Sequence, residues 1–249
     1  MELALTLTRF PIPFHDGSVA LGVHADRSTD LPRALRAMGL TTGVPTIVTV
    51  GAGSKPGLLS RLGPLLEKVV VSVAEGVEAT VVDEGDSLGL GAALGQARLR
   101  KKAGFALVGV AVNGADPADL DPAHTHFVLV AEDQGASAAR WISAVATAVA
   151  GGNRSVAVAA AGGEPAWDCL DAHVRAGRLV MAVARTGGVA DHLAAAAAGR
   201  PADSRAHALA RSGQVFAVDP SLGAAQVADT LRNALSRPDA LPPARQAGP

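Results

Sequence analysis

The chain has 249 residues, which is enough for one large α/β domain or two small ones. Hydrophobic residues make up 49% of it, charged residues 18%, and the formal net charge is −1. A sizeable core can therefore form, and broad electrostatic binding to nucleic acid is disfavoured. The single cysteine, Cys169, excludes a disulfide framework. We see no signal peptide and no membrane span, so we expect a cytoplasmic protein.

The first 44 residues are expected to be an N-terminal extension that packs on the outside of the main domain. Phe10-Pro11-Ile12-Pro13 must be extended, because proline disfavours helix at its own position and at the preceding one. A short strand over 19–24 and a short helix over 31–38 follow. From residue 45 onward the predicted strands are 46–50, 79–82, 105–112, 126–131, 155–161, 179–185 and 214–219. The predicted helices are 58–74, 88–102, one through Trp141 that ends at 150, 166–176, one after Gly188 that ends at 198, 202–211 and 223–235.

These strands are continuous apolar runs that alternate with helices. That pattern predicts an α/β fold with a mostly parallel sheet and helices on both faces. No linker divides the chain, so residues 45–235 are expected to form one domain, followed by a flexible tail over 236–249 that is rich in proline and alanine.

Glycine-containing turns follow four of the predicted strands. In a parallel sheet the carboxyl ends of the strands share one edge, so these turns can line one crevice. Helix N-termini there would favour an anion, which indicates a phosphate-containing ligand, with tight backbone packing as the alternative reason for the glycines. The turns contain Gly51 and Gly53, Gly85, Gly162 and Gly163, and Gly187 and Gly188.

The turns differ in charge. Ser54 and Lys55 lie in a first turn that has no acid, and Thr186-Gly187-Gly188 is also free of acids, so either turn could hold a phosphate. The stretch Asp83-Glu84-Gly85-Asp86 would repel one. Its carboxylates suit ribose hydroxyls, a metal on a diphosphate, or a cap on the helix that begins near Leu88, for which Asp86 or Ser87 is placed. Gly89 and Gly91 would let that helix lie close to a strand or a ligand.

Several common site types do not fit the sequence. The glycine spacing does not match the dinucleotide fingerprint, no Gly-Lys-Ser/Thr is present, and there is no Gly-x-Ser-x-Gly elbow. His124 and His126, with Asp121 nearby, could form part of a metal site, but no third ligand has supporting spacing. We expect hydrogen bonding at the mouth of the crevice instead. Trp141, Trp167 and Cys169 are expected to be buried.

The ordered motifs resemble the prokaryotic SLOG domains of the TRPM-like (LSDAT) type. The resemblance covers residues 45–199. This family is similar to the N-terminal region of melastatin-type TRP channels and, more distantly, to the LOG and DprA Rossmann-like proteins. The motifs are Thr46 to Gly53, Val82-Asp83-Glu84-Gly85-Asp86-Ser87-Leu88-Gly89, His124-Thr125-His126-Phe127, Ala161-Gly162-Gly163-Glu164 and Thr186-Gly187-Gly188-Val189-Ala190-Asp191.

The resemblance implies a Rossmann-like domain that senses a nucleotide or an NAD- or ADP-ribose-like molecule. The ligand contacts that it implies are Gly51, Ala52, Gly53, Gly85, Asp86, Ser87, Gly89, Gly187, Gly188 and Asp191. The chain departs from the family where Ala52 and Glu84 replace glycines and Asp86 replaces a threonine. Ala194 stands where LOG-type phosphoribohydrolases carry a catalytic glutamate, which argues against hydrolysis of a nucleoside monophosphate.

Three hypotheses follow. The first is a non-catalytic nucleotide-binding or nucleotide-sensing domain that signals by forming a homo-oligomer or through a separate effector protein. The second is an enzyme, a nucleotide N-glycosidase that uses Asp83, Glu84 or Asp86. The third is a degenerate scaffold that binds another protein chain. No further cofactor or metal is implied.

Overall fold

A computed structural model describes residues 8–51, 57–131 and 138–236. These residues form a nine-stranded sheet with the order β1-β2-β6-β5-β4-β3-β7-β8-β9, in which only β1 runs antiparallel to its neighbour. The strands are β1 (Phe10–Pro13), β2 (Val19–Ala25), β3 (Thr46–Gly51), β4 (Thr80–Asp83), β5 (Leu107–Val112), β6 (His126–Val130), β7 (Ser155–Ala160), β8 (Leu179–Val183) and β9 (Val215–Val218). The prediction of an α/β fold with a mostly parallel sheet is confirmed.

Helices cover both faces of the sheet, and the strands are apolar on both sides for this reason. Ile47 and Val48 of β3 are both fully buried, although they point to opposite faces. On the first face lie α1 (Leu31–Ala37), α5 (Ala138–Ala150), α6 (Pro165–Arg175), α7 (Gly188–Ala197) and α8 (Ser204–Ala210). On the second face lie α2 (Leu58–Leu65), α3 (Ser72–Gly76), α4 (Gly89–Lys101) and α9 (Ala224–Ser236). None of the described helices has the length and apolar character that crossing a membrane requires.

The strand order reverses at β3. After β3 the chain adds β4 and β5 on one side, whereas the later strands β7, β8 and β9 continue on the other side. The crevice beyond the carboxyl ends of β3 and β7 is the topological switch point, where open α/β sheets bind their ligands.

The N-terminal residues extend the sheet. The predicted strand over 19–24 and helix over 31–38 are present as β2 and α1, and β2 pairs in parallel with β6. Phe10–Pro13, predicted only to be extended, forms the edge strand β1. The expected helix over 58–74 differs, because a π-helical segment, Leu66–Val71, lies between α2 and α3. Pro64, which interrupts the hydrogen-bond ladder of α2, directly precedes this wider turn. The predicted tail beyond residue 236 lies outside the described residues.

Candidate functional site at the carboxyl edge of the sheet

Three of the four glycine-containing turns meet at the switch point. Gly51 ends β3, Gly162 follows β7, and Gly188 begins α7 after β8. A Cβ atom at Gly51 would overlap the carbonyl oxygen of Ala160, and a Cβ at Gly188 would overlap that of Gly162. Both residues also have positive φ, +123° and +57°, so the close approach of these backbones requires glycine. Ala52, Gly53, Ser54 and Lys55, which were predicted to bind the ligand, lie outside the described residues.

Hydrogen bonds join the turn after β7 to the turn after β8. The N–H groups of Val189 and Ala190 donate to the carbonyl oxygens of Gly162 and Ala161, at 3.1 and 2.8 Å. Thr186 Oγ1 accepts from the N–H of Ala161 at 2.8 Å. These hydrogen bonds hold the two turns in a fixed position relative to each other.

The same two strands end in strained residues. Ala161 and Arg185 have φ values of +58° and +63°, in the left-handed region that favours glycine. Asp191 is one of the ligand contacts that the family resemblance implies. In the structure its Oδ1 accepts from the N–H of Thr186 at 3.1 Å, while Arg185 pairs with Asp219 at 2.9 Å. Backbone strain of this kind is held in place where it serves a site, and Asp191 supports the turn by fixing Thr186.

Backbone N–H groups that have no partner among the described residues lie in this cluster. The N–H groups of Gly187 and Gly188 lie at the start of the ten-residue helix α7, and no described residue accepts a hydrogen bond from either. The same holds for the N–H groups of Gly162 and Gly163 among the described residues. Unpaired donors at a helix N-terminus form an anion-binding site, because the helix dipole adds positive potential there.

A buried ionic cluster lies behind the turn after β4. Asp83 Oδ1 accepts from His124 Nε2 at 2.7 Å and from the N–H of Gly85 at 2.8 Å, and His124 Nδ1 lies 3.0 Å from Asp121 Oδ2. Burial alone would lower the pKa of His124, but the charges and hydrogen bonds of Asp83 and Asp121 outweigh it and raise that pKa to about 10. The ring is therefore an imidazolium that is bonded on both sides to carboxylates.

His124 was expected at the mouth of the crevice, and this expectation is wrong. Its side chain is completely buried, whereas His126 lines a separate cavity at the amino end of its strand. His124 precedes β6, so its side chain does not follow the pleat of the strand that begins at His126. A single signal was available in the sequence: an aspartate that ends an apolar strand needs a buried partner.

Glycines of α4 make room for this cluster. A Cβ at Gly91 would lie 2.8 Å from Asp83 Oδ2, and one at Gly95 would overlap Asp121 Oδ2. The prediction that Gly91 lets α4 lie close to the sheet is confirmed. Asp83 Oδ2 has no hydrogen-bond partner among the described residues.

The turn after β4 leans toward β5 and β6. Gly85, with φ +70°, packs on Gly109 and Phe127, and the N–H of Asp121 donates to its carbonyl at 3.0 Å. The N–H of Ser87 donates to the carbonyl of Asp119 at 2.7 Å. Hydrogen bonds therefore join this turn to the loop between β5 and β6.

The predicted cap on α4 is wrong. The residue at the N-cap position is Leu88, which makes no side-chain cap hydrogen bond, and α4 begins at Gly89. Asp86 forms an isolated antiparallel bridge with Leu120 instead. The backbone of Asp86 and Ser87 is thus committed to the neighbouring loop before the helix begins, which leaves neither residue in the position of a cap.

Two carboxyl groups of this turn have raised pKa values. The side chain of Glu84 reaches solvent, but protein atoms also lie close around its carboxyl group. This burial, with the charges of Asp86 and Asp83, raises the pKa of Glu84 to about 7. Burial and the charge of Asp83 raise the pKa of Asp86 to about 6, against the opposing effect of His124. Perturbed carboxyl groups beside a sheet-edge crevice are typical of functional sites.

The largest cavity formed by described residues lies elsewhere. It is an open groove of about 1680 Å³ between α1, α5 and α6, on one face of the sheet. Trp141, Trp167 and Cys169 are buried near it, as predicted, at 8%, 6% and 3% exposure. Its polar side chains are of mixed charge and none of the glycine-containing turns of the switch point lines it, so we assign the candidate site to the sheet edge.

Fold and site together define an α/β, Rossmann-like domain with a candidate site at the switch point of its sheet. The family described as "SLOG in TRPM, prokaryote" matches residues 44–229, which is most of the chain. The chain belongs to this family and is a nucleotide-related SLOG domain, which confirms the family that the sequence motifs indicated.

Two further comparisons were made. Among solved structures, the chain is similar to the X-ray structure of TM1055, a Northeast Structural Genomics Consortium target, with 17% identity and a TM-score of 0.47. The alignment covers 61% of this chain and 80% of that one. The comparison with curated proteins gave no match.

Proposed function

We propose that the domain binds a nucleotide of the NAD or ADP-ribose type in the crevice at the switch point and does not turn it over. The observation that carries the proposal is the set of N–H donors at the turns after β7 and β8 that no described residue pairs with. They lie in a cluster whose backbones approach so closely that Gly51 and Gly188 must be glycine. Donors fixed in this way suit phosphate oxygens.

The charges of the turns around the crevice indicate which end of the ligand lies at which turn. Glu84 and Asp86 disfavour phosphate at the turn after β4, whereas Thr186-Gly187-Gly188 after β8 contains no acid and favours it. The phosphates therefore belong at Gly187 and Gly188, and the ribose hydroxyls, which can donate to a carboxylate, belong toward Glu84.

Calorimetry with ADP-ribose, NAD and AMP tests the proposal, with each mixture then separated by chromatography. The proposal expects binding of at least one nucleotide with no new product. No binding of any nucleotide would refute it and would favour a protein-binding scaffold.

A matched pair of variants locates the ligand. Gly187 and Gly223 both precede a helix, both have extended ψ with φ of +91° and +95°, and both have open space where a Cβ would stand. Gly187→Ala and Gly223→Ala should therefore cost similar stability, on the order of 1–2 kcal/mol. Only Gly187→Ala should weaken nucleotide binding, by about tenfold or more, because its methyl group projects beside the free N–H groups. Equal affinities would place the ligand elsewhere.

One observation favours the enzyme as a second candidate function. A carboxyl group with a pKa of about 7, such as Glu84, can both accept and donate a proton near neutral pH. A nucleotide N-glycosidase would release the base in the same chromatography, and Glu84→Gln would abolish that release. Product formation that survives Glu84→Gln would exclude Glu84 from the chemistry.

A further inference from the structure

The two edge strands of the sheet differ in the hydrogen-bonding groups that they present outward. In β1 the N–H of Phe14 donates to the carbonyl of Ser18 at 3.0 Å, which fixes the alternation of the hairpin. Pro11 and Pro13 therefore occupy the outward positions, where neither has an N–H to offer. Proline at these positions closes this edge to further strands.

The opposite edge is open. In the ladder between β8 and β9, Val180 N–H donates to the carbonyl of Gln214 and Ala184 N–H donates to that of Val218, both at 2.9 Å. Parallel strands alternate the direction of their backbone groups, so Val215 and Ala217 direct their N–H and C=O groups away from β8. Within the described part of the chain nothing bonds to these two donors and two acceptors.

The side chains of β9 do not protect this edge. The strand contains no charged residue and no proline. Val215, Phe216 and Val218 are buried in the cores, while Ala217 is exposed. An unprotected edge of this composition is a template for another strand.

We propose that a second copy of this chain pairs with β9 in antiparallel orientation, about a two-fold axis at Phe216. Val215 of each copy then faces Ala217 of the other, so the outward donors and acceptors form four hydrogen bonds with none left over. Gln214 faces Val218, and Asp219 faces Gly213, so no like charges oppose each other.

A second copy fits this edge because the two-fold register pairs all the outward backbone groups of Val215 and Ala217 and brings no like charges together. The pairing joins the two nine-stranded sheets into one continuous sheet and directs the two switch-point crevices to opposite sides of it. It does not involve the crevice and holds whether or not a nucleotide binds there.

Light scattering after size exclusion tests the proposal over a range of concentrations. The wild-type chain is expected at twice its chain mass of 24.9 kDa. Ala217→Pro removes one outward donor without touching the ladder to β8 and should give a monomer. Ala217→Thr retains the N–H, favours a strand, and should remain a dimer. A monomeric wild type, or a dimer that survives Ala217→Pro, would overturn the proposal.

Hydrogen exchange on the wild-type chain gives a test that needs no variant to fold. The amides of Val215 and Ala217 should be protected at high concentration and lose that protection on dilution, while Phe216 and Val218, which face β8, stay protected throughout. Protection of Val215 and Ala217 that does not depend on concentration would mean that the chain covers its own edge, and would refute the pairing.

Discussion

Replacement of Glu84 by glutamine should stabilise the fold at pH 8 and have almost no effect at pH 5. The folded state raises the pKa of Glu84 from an ordinary value of 4.5 to about 7. Between these values the folded chain binds a proton that the unfolded chain has released, so this group makes the fold less stable as the pH rises through that window. Glutamine has the shape of the glutamate and no charge to be repelled by Asp83 and Asp86.

The size of the effect follows from the shift. At 1.36 kcal/mol for each pKa unit, the full shift corresponds to roughly 3 kcal/mol. Because the side chain is open to solvent, screening reduces this to about 1 kcal/mol, or about 2–4 °C in Tm for a chain of this size. Thermal unfolding followed by circular dichroism at pH 5 and pH 8 measures it.

A control stands at the other end of the same strand. Glu78 is exposed just before β4, so Glu78→Gln removes one negative charge from the chain without touching the crevice. It should shift Tm by less than Glu84→Gln at pH 8. The reasoning is refuted if Glu84→Gln gives the same shift at both pH values, or if it lowers Tm at pH 8.

Three further predictions concern the groups that hold the site together. His124→Asn leaves Asp83 and Asp121 buried without a cation and should cost about 3–5 kcal/mol in urea unfolding. Since the pKa of His124 is raised to about 10, the stabilisation by the imidazolium is complete below pH 6.5 and should be lost as the pH rises through 10, where the variant and the wild type should converge. Gly51→Ala forces a methyl group onto the Ala160 carbonyl and should cost at least about 2 kcal/mol by the same measurement. Cys169, whose thiol pKa burial raises to about 12, should react with a thiol reagent at pH 8 only after the chain unfolds, and rapid labelling of the native chain would contradict its burial.

The central sheet could be predicted because its strands are buried on both faces and are therefore continuous apolar runs. Thr46–Gly51 and Ser155–Ala160 are examples, and the switch point that they create follows from ordinary rules for parallel sheets. The edge strand β1 was harder to predict, because Phe10-Pro11-Ile12-Pro13 is extended in any reading. Local preferences do not distinguish an extended loop from an edge strand, which only its pairing with β2 defines.

The site was predictable where it depends on glycine and unpredictable where it depends on long-range pairing. Gly51 and Gly188 are needed for close backbone contact, and the glycines that meet this need are visible in the sequence. The partner of Asp83 is 41 residues away, so no local pattern indicates the pairing with His124. The missing cap on α4 has the same origin, since contacts with the loop at Asp119 and Leu120 outweighed the preference of aspartate and serine for cap positions.

The buried imidazolium also explains how three carboxylates can stand within four residues at the edge of the crevice. Burial, and after it the charges of neighbouring carboxylates, raise the pKa values of Glu84 and Asp86. His124 neutralises the charge of Asp83 and lowers the pKa of Asp86, so it favours the ionised form of Asp86. The negative charge of this turn is thus stabilised by the imidazolium of His124, which is buried away from solvent and ligands. Since the side chain of His124 is fully buried, its contribution is to position the carboxyl groups and not to contact a ligand.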